Sequence, residues 1–446
     1  MNKSKTAVPD RYHWRATRAP ERPYFHAYHT ALVDKIYLCT KPNPQSGAPI
    51  QVHLTFEQAL ERIRMIDQLT RGIPKIMYLV GWQFEGHDSG YPDWSVVNPH
   101  LQRAQDRTPA DSLRWLMKAG RQYHTTVSLH LNMNDAYESS PLWDTYRRAR
   151  LLTGKGGVWG GEQAYLVDHA REWELGLAQA RIDQLCRMLP LVEAGSVHMD
   201  AFWPTSPDLE TALGALRTIV RYWRNKGVDV TVEGLVTPNL DRGLIGLSPM
   251  AWHINHPQSK QPDEFTEDDY MNIPASLFCG GMDHSYRSLV FGTSMQGEPL
   301  GNHQMTLYQA EFCQKTLPWQ FLNRFARQSL VRRGARVQVE HQGGVTVLVD
   351  LSLGQRTILQ GQCLVQDGGD LFVPASWQKE VEILAYSKDG YFSRWWVLPA
   401  EWEGTHQVRI RRIGASGAGE SWIEAPQAGA VELSLQPGEL VSLQKV

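Results

Sequence analysis

Apolar and polar positions alternate most regularly between Gly195 and Val236, where GSVHMDAFWPTSP leads to a long segment and then to GVDVTVEGLV. Both short apolar runs end in a carboxylate, Asp200 and Glu233. In the segment between them, Leu209, Leu213, Leu216, Val220 and Trp223 recur at helical spacing, with Asp208 at its start and Gly227 at its end. Strand, helix, strand is the expected unit, and a parallel βαβ unit carries the two carboxylates to the same edge of the sheet.

The same rhythm extends in both directions. Residues 1 to about 55 alternate aromatic, polar and β-branched positions around the turn-like KPNPQSGAP, a β preamble or hairpin. Phe56, Leu60, Ile63, Ile66 and Leu69 mark a helix ended by Gly72 and Pro74. KIMYLVGW is then the first strong strand, followed by the polar loop QFEGHDSGYPDW; TTVSLHLNMNDAY is a second, ending in His130, Asn132 and Asp135. GKGGVWGGEQAYL reads as a mobile, glycine-rich flap bearing Trp159 before a third strand, and it lacks the order of a phosphate-binding loop. A helix over about 172–189 precedes the Asp200 strand. GLIGLSPMAWHINH, NIPASLFCGGMDHSYR and SLVFGTSM supply a sixth, seventh and eighth strand.

About eight βα repeats predict an α/β chain with a (β/α)8 TIM-type barrel over 73–330, after a lead-in at 1–72. An open doubly wound sheet is the second choice, weakened by the missing GxGxxG. After Arg332 the texture changes to short alternating runs between glycine-rich turns, which predicts an all-β sandwich over 331–446.

Composition narrows the function. A formal net charge of −2 without a basic run disfavours nucleic acid and anionic membrane as partners. No segment approaches a membrane span, and MNKSKTAVPDRYHWR has no apolar signal-peptide run, so the expected location is cytoplasmic. Cys39, Cys186, Cys279, Cys313 and Cys363 form no CxxC pair, which argues against disulfides and zinc. Sixteen Trp and sixteen Tyr are many; most of these rings are expected to fill core, and those on a polar surface, with Trp159 and Trp203 as candidates, would suit the apolar faces of sugars. Composition does not address oligomeric state.

Two carboxyls held roughly 5 Å apart across a sugar are what retaining glycoside hydrolysis uses. The other reading of Asp200 and Glu233 is helix capping or pairing with arginine. The expected barrel mouth also gathers His87, Asp88, His130, Asn132, Asp283 and His284, groups able to orient a glycan through its hydroxyls. Histidines with acids could instead hold a metal, but the first strand lacks the HxH that such barrels use, so neither metal nor cofactor is expected.

LVGWQFEGHDSGYPDW, VSLHLNMND, HMDAFW and VTVEG, in that order, resemble the catalytic barrel of glycoside hydrolase family 101, the endo-α-N-acetylgalactosaminidases. The resemblance covers about 70–330. It implies a retaining mechanism with Asp200 as nucleophile and Glu233 as general acid/base, sugar contacts from His87, Asp88 and His130, and a flap carrying Trp159. It implies release of Gal-β-1,3-GalNAc from O-glycans; in a compact relative it also admits exo removal of α-GalNAc, as in family 129, or hydrolysis of another α-glycoside. A non-catalytic sugar-binding barrel is the alternative from a different class.

Overall fold

The computed structural model describes residues 23–28, 30–234, 244, 247–249, 251–253, 289–290, 305–378, 381–414 and 417–446. Its first half is built on a six-stranded, all-parallel sheet of β1 (Leu32–Tyr37), β2 (Lys75–Val80), β3 (Thr125–Asn132), then the Ser196–Asp200, Asp229–Gly234 and Ala251–His253 strands, paired in that order. LVDKIY, expected in a lead-in hairpin, is therefore the edge strand of this sheet. In the opposite sense, Leu152–Trp159 (β4) and Glu162–Val167 (β5) lie outside it, as an antiparallel hairpin with Asp135–Ala136. The glycine-rich flap is thus a strand pair, and the third strand expected after it is part of that pair.

Helices connect the parallel strands where the spacing places them. Thr55 and Gln58 form a reciprocal capping box at the start of α1 (Phe56–Leu69), a device whose loss costs about 1 kcal/mol. Thr108 caps α2 (Pro109–Ala119), which carries proline at its first position. The helix expected over 172–189 divides into α3 (His169–Glu174) and α4 (Leu177–Met188), with Gly176 at φ 75° between them. Ser196–Asp200 (β6), α5 (Leu209–Asn225) and Asp229–Gly234 (β7) make the anticipated βαβ unit. Asp208 accepts from the Thr211 amide at 2.8 Å, and Gly227 turns the chain out at φ 83°. Leu213, Leu216, Val220 and Trp223 are buried; each contributes about 1.5–3 kcal/mol relative to exposure. Leu209, read as part of that face, is exposed.

The two faces of the parallel sheet differ. Leu32, Ile36, Met77, Leu79, Val127, Leu129, Leu131, Val197, Met199, Val230 and Val232 share one core with the helices. By the period of two, the residues between them point the other way, inward. Following the pairing across the strands, these form rows: Lys35, Tyr78, Ser128, Ser196 and Asp229; then Tyr37, Val80, His130, His198 and Thr231; then Asn132, Asp200 and Glu233. Below the first row Val33 and Ile76 pack with Tyr28 and Trp319 and close that end. The sheet's carboxyl ends carry the third row.

From Arg327 to Lys445 the chain forms a ten-stranded antiparallel sheet, with Tyr391–Val397 and Ala430–Leu435 as a separate two-stranded ribbon. The all-β region expected over 331–446 as a sandwich is thus antiparallel sheet, one broad sheet with a small ribbon packed on it. The ribbon covers one end of it, where Phe372 stacks on Trp396. Val337, Val339, Val347, Leu371 and Leu384 on the broad sheet instead join the core of the α/β part, and Arg71 bonds Glu382 at 3.0 Å across that junction. The architecture is α/β with a C-terminal antiparallel sheet. The expected seventh strand and most of the eighth lie outside the described residues; of the eighth, Leu289 and Val290 are described, and they are helical. Among the described residues no helix is long and apolar enough to cross a membrane.

Candidate active site

Two backbone devices fix the third row. Met199 pairs with Val232, so Asp200 and Glu233, one residue on, leave adjacent strands side by side. Immediately after Asp200 the chain turns through Ala201 at φ 46°, and the Ala201 amide donates to Glu233 Oε2 at 3.1 Å. The carboxyls of Asp200 and Glu233 lie within hydrogen-bonding reach of each other. Burial first, then the Asp200 charge and this contact, push Glu233 up to about 6.

The HDSG loop closes over this pair. His87 N–H donates to the Cys39 carbonyl at 2.9 Å. A Cβ on Gly86 would lie 2.8 Å from that same oxygen, and one on Gly90 would enter the Phe84 ring, so both glycines are needed for the loop to sit this close. Asp88, at φ 56°, approaches His87 Nδ1 at 3.6 Å. Burial, reinforced by Asp200 and Asp135, raises its carboxyl to about 8. His87 and His130 pack edge to face with centroids 5.2 Å apart. Burial pushes His87 down to about 3 and holds His130 well below the usual imidazole range, so both are neutral. His130 Nε2 lies 3.2 Å from Asp200 Oδ2 but off the line of a hydrogen bond, and among the described residues neither ring nitrogen has a partner.

Asn132 faces the same row but is occupied. Its carbonyl oxygen accepts from the Asn134 and Asp135 amides, and its Nδ2 donates to Asp135 Oδ2 at 2.8 Å. It therefore holds Asp135 in place beside the pair, and burial followed by the Asp200 charge brings Asp135 up to about 6. Trp159 stands half-exposed at the tip of the β4–β5 hairpin, and Trp203 is partly buried against the core. Asp283 and His284 lie outside the described residues.

Four site groups escaped the sequence reading of candidate residues. Lys35, only 6% exposed, faces inward from β1, and its charge acts on His87, His130 and Glu233. Lys41 donates to the Asp88 carbonyl at 2.6 Å and to Glu162 Oε2 at 3.0 Å, tying the HDSG loop to the hairpin. Asp135 stands beside the acid pair, and His198, beneath Asp200, bonds Thr231 Oγ1 at 2.9 Å. A lysine inside the alternating run LVDKIY was the available signal for Lys35. Nothing local marks Lys41, whose partner Glu162 is more than a hundred residues away.

One nitrogen each of His87 and His130 and one oxygen of Asp200 lie within 4.8 Å of one another. The site can thus exchange a proton between two carboxyls, place an anionic oxygen next to an electrophile, and offer neutral nitrogens to a third group.

No curated protein sequence matches the chain. Among solved structures it is similar to the alpha-N-acetylgalactosaminidase NagBb from Bifidobacterium bifidum. Against its quadruple mutant the TM-score is 0.56 at 11% identity, over 74% of this chain and 57% of that one. Against its GalNAc complex the TM-score is 0.55 at 11% identity, over 78% and 59%. The chain thus spans less than two thirds of NagBb, and at this identity the likeness is one of fold. Residues 49–234 match the sequence profile of the family described as endo-alpha-N-acetylgalactosaminidase, a glycoside hydrolase family. That match runs from before α1 to the residue after Glu233, so the chain carries a catalytic domain related to glycoside hydrolase family 101.

Proposed function

We propose that this chain is an α-glycoside hydrolase that cleaves α-linked N-acetylgalactosamine by double displacement at Asp200 and Glu233, within a closed (β/α)8 barrel. The observation that carries the reading is the contact of these two carboxyls at the carboxyl ends of adjacent parallel strands, with Glu233 raised to about 6 beside Asp200. In the free site burial and the neighbouring Asp200 charge favour a proton on Glu233. Entry of a sugar's anomeric carbon parts the two carboxyls toward the roughly 5 Å that a retaining pair uses.

Glu233, protonated, gives its proton to the glycosidic oxygen as the Asp200 carboxylate attacks the anomeric carbon; the carbon–oxygen bond breaks and the aglycone leaves as an alcohol. Water then attacks the glycosyl ester, Glu233 takes its proton, and Asp200 is released as carboxylate. Protonated Asp88 and neutral His87 and His130 would hold sugar hydroxyls. Asn132 acts at one remove, through Asp135. Trp159 and Trp203 would offer ring faces to the substrate, Trp159 from the hairpin tip.

The matching family is one of endo-alpha-N-acetylgalactosaminidases and NagBb is an alpha-N-acetylgalactosaminidase, and one panel separates endo from exo action. Release of p-nitrophenol from the α-GalNAc glycoside alone assigns exo action; release only from its Gal-β-1,3 derivative assigns endo action. No release from either, or from other α-glycosides, overturns the proposal and leaves a sugar-binding barrel.

A further inference from the structure

We propose that the mouth of the parallel sheet also binds a divalent cation of the zinc class, on His87, His130 and Asp200, in competition with sugar. The proposal uses residues of the proposed hydrolytic site but does not need turnover to be true. A tetrahedral zinc shell with bonds near 2.1 Å places its ligand atoms about 3.4 Å apart. His130 Nε2 and Asp200 Oδ2, at 3.2 Å, already have that spacing. The third atom, a His87 ring nitrogen, lies within 4.8 Å of both.

The strongest indication is the His130 ring. It is 3% exposed, and neither nitrogen is hydrogen-bonded among the described residues, although Asp200 Oδ2 is close enough to bond if it were aligned. A nitrogen and an oxygen this near, but off each other's axis, are served together by a third partner between them. Leaving such a buried group unmet opposes folding. A sugar hydroxyl meets it in one state, and a cation in the other.

The donor set decides the class. Two imidazoles and one carboxylate match zinc and cobalt(II), whereas calcium and magnesium require oxygen shells. Spacing along the chain predicts no metal because it looks for an HxH on one strand. These ligands come instead from a loop, from β3 and from β6, and only folding joins them. An Asp200 oxygen held by a dication cannot attack an anomeric carbon, so the ion acts as an inhibitor.

The test is titration of the full chain, free of any histidine tag and stripped with chelator, with Co²⁺ and Zn²⁺. One ion per chain is expected, with a visible d–d absorption band for Co²⁺ and displacement of that band by N-acetylgalactosamine on the unmodified protein. His87→Ala and His130→Ala should each weaken binding at least roughly tenfold, while Ca²⁺ leaves the band unchanged. Absence of the band, or binding indifferent to both substitutions and to the sugar, overturns the proposal. Faster turnover with added Zn²⁺ overturns its competitive sense. A normal Co²⁺ band in a protein inactive on every glycoside keeps the cation site and rejects the hydrolase reading instead.

Discussion

The C-terminal sheet and the parallel sheet both obey a period of two, and they use it for different ends. In the C-terminal sheet Val337 pairs with Val349 and Val339 with Val347, all buried, while Arg336, Gln338 and Leu348 on the opposite face meet solvent. In the parallel sheet most described positions on both faces are buried, yet the inward face carries Lys35, Tyr78, Ser128, His130, His198 and Thr231. Burying polar groups opposes folding unless each is bonded. Satisfaction falls along the rows. At the bottom Tyr28, Tyr78 and Ser128 all bond Ser196. Near the top the two His130 nitrogens and His87 Nδ1 are unmet among the described residues. One sheet is built for packing; the other gives up packing where a ligand is to enter.

The largest effect that follows is at the top row. Asp200→Asn is expected to lower turnover roughly 10⁴-fold and to leave the melting temperature in place. Near-wild-type rates from that variant would remove the nucleophile from the scheme. Glu233→Ala should regain activity with azide on an activated α-glycoside and give the α-azide, since azide then enters from the face that Glu233 served. The mirror experiment is in the other sheet. Leu384, fully buried in a central strand, should on truncation to alanine lose about 3 kcal/mol of stability with KM unchanged. A Leu384→Ala protein with normal stability would break the contrast between the sheets.

A smaller effect reads the acid directly. Glu233 must be protonated to act as acid, and its carboxyl is raised to about 6. The value of kcat/KM should therefore fall about tenfold per unit as pH rises beyond about 6, and Glu233→Gln should flatten that limb. A limb unchanged in Glu233→Gln would assign it to another group, with Asp135, also raised to about 6, the first to try.

What the sequence discloses follows from the same physics. The unit from β6 through α5 to β7 is legible because capping, helical spacing and alternation agree over one continuous stretch. That agreement also puts Asp200 and Glu233 next to each other, as pairing requires. LVDKIY misleads because an inward position is a lysine and an outward one an aspartate, both buried, so polarity suggests an exposed hairpin where a strand of the parallel sheet stands. GKGGVWGG misleads for the opposite reason: glycines have no side chains to alternate, and strand pairing leaves no trace in the pattern. The alternating C-terminal runs reveal that one face is buried but not what buries it: the ribbon covers one part of the broad sheet and the α/β half another.

The finest discrimination concerns His130, where the two uses of a buried position compete at one residue. Its ring fills space in the second row at 3% exposure, with both nitrogens unmet among the described residues. Leucine occupies a similar volume and has no polar atoms to desolvate, so His130→Leu is expected to raise stability by about 1 kcal/mol. The same change removes the sugar contact proposed beside Asp200 and should lower kcat/KM. Chemical denaturation and steady-state kinetics on one preparation measure both. A variant that is less stable and less active would mean that His130 is an ordinary packed side chain with a bonding partner, and the polarity of the inner wall would then serve the fold. A variant more stable and less active places the origin of that polarity in the ligand.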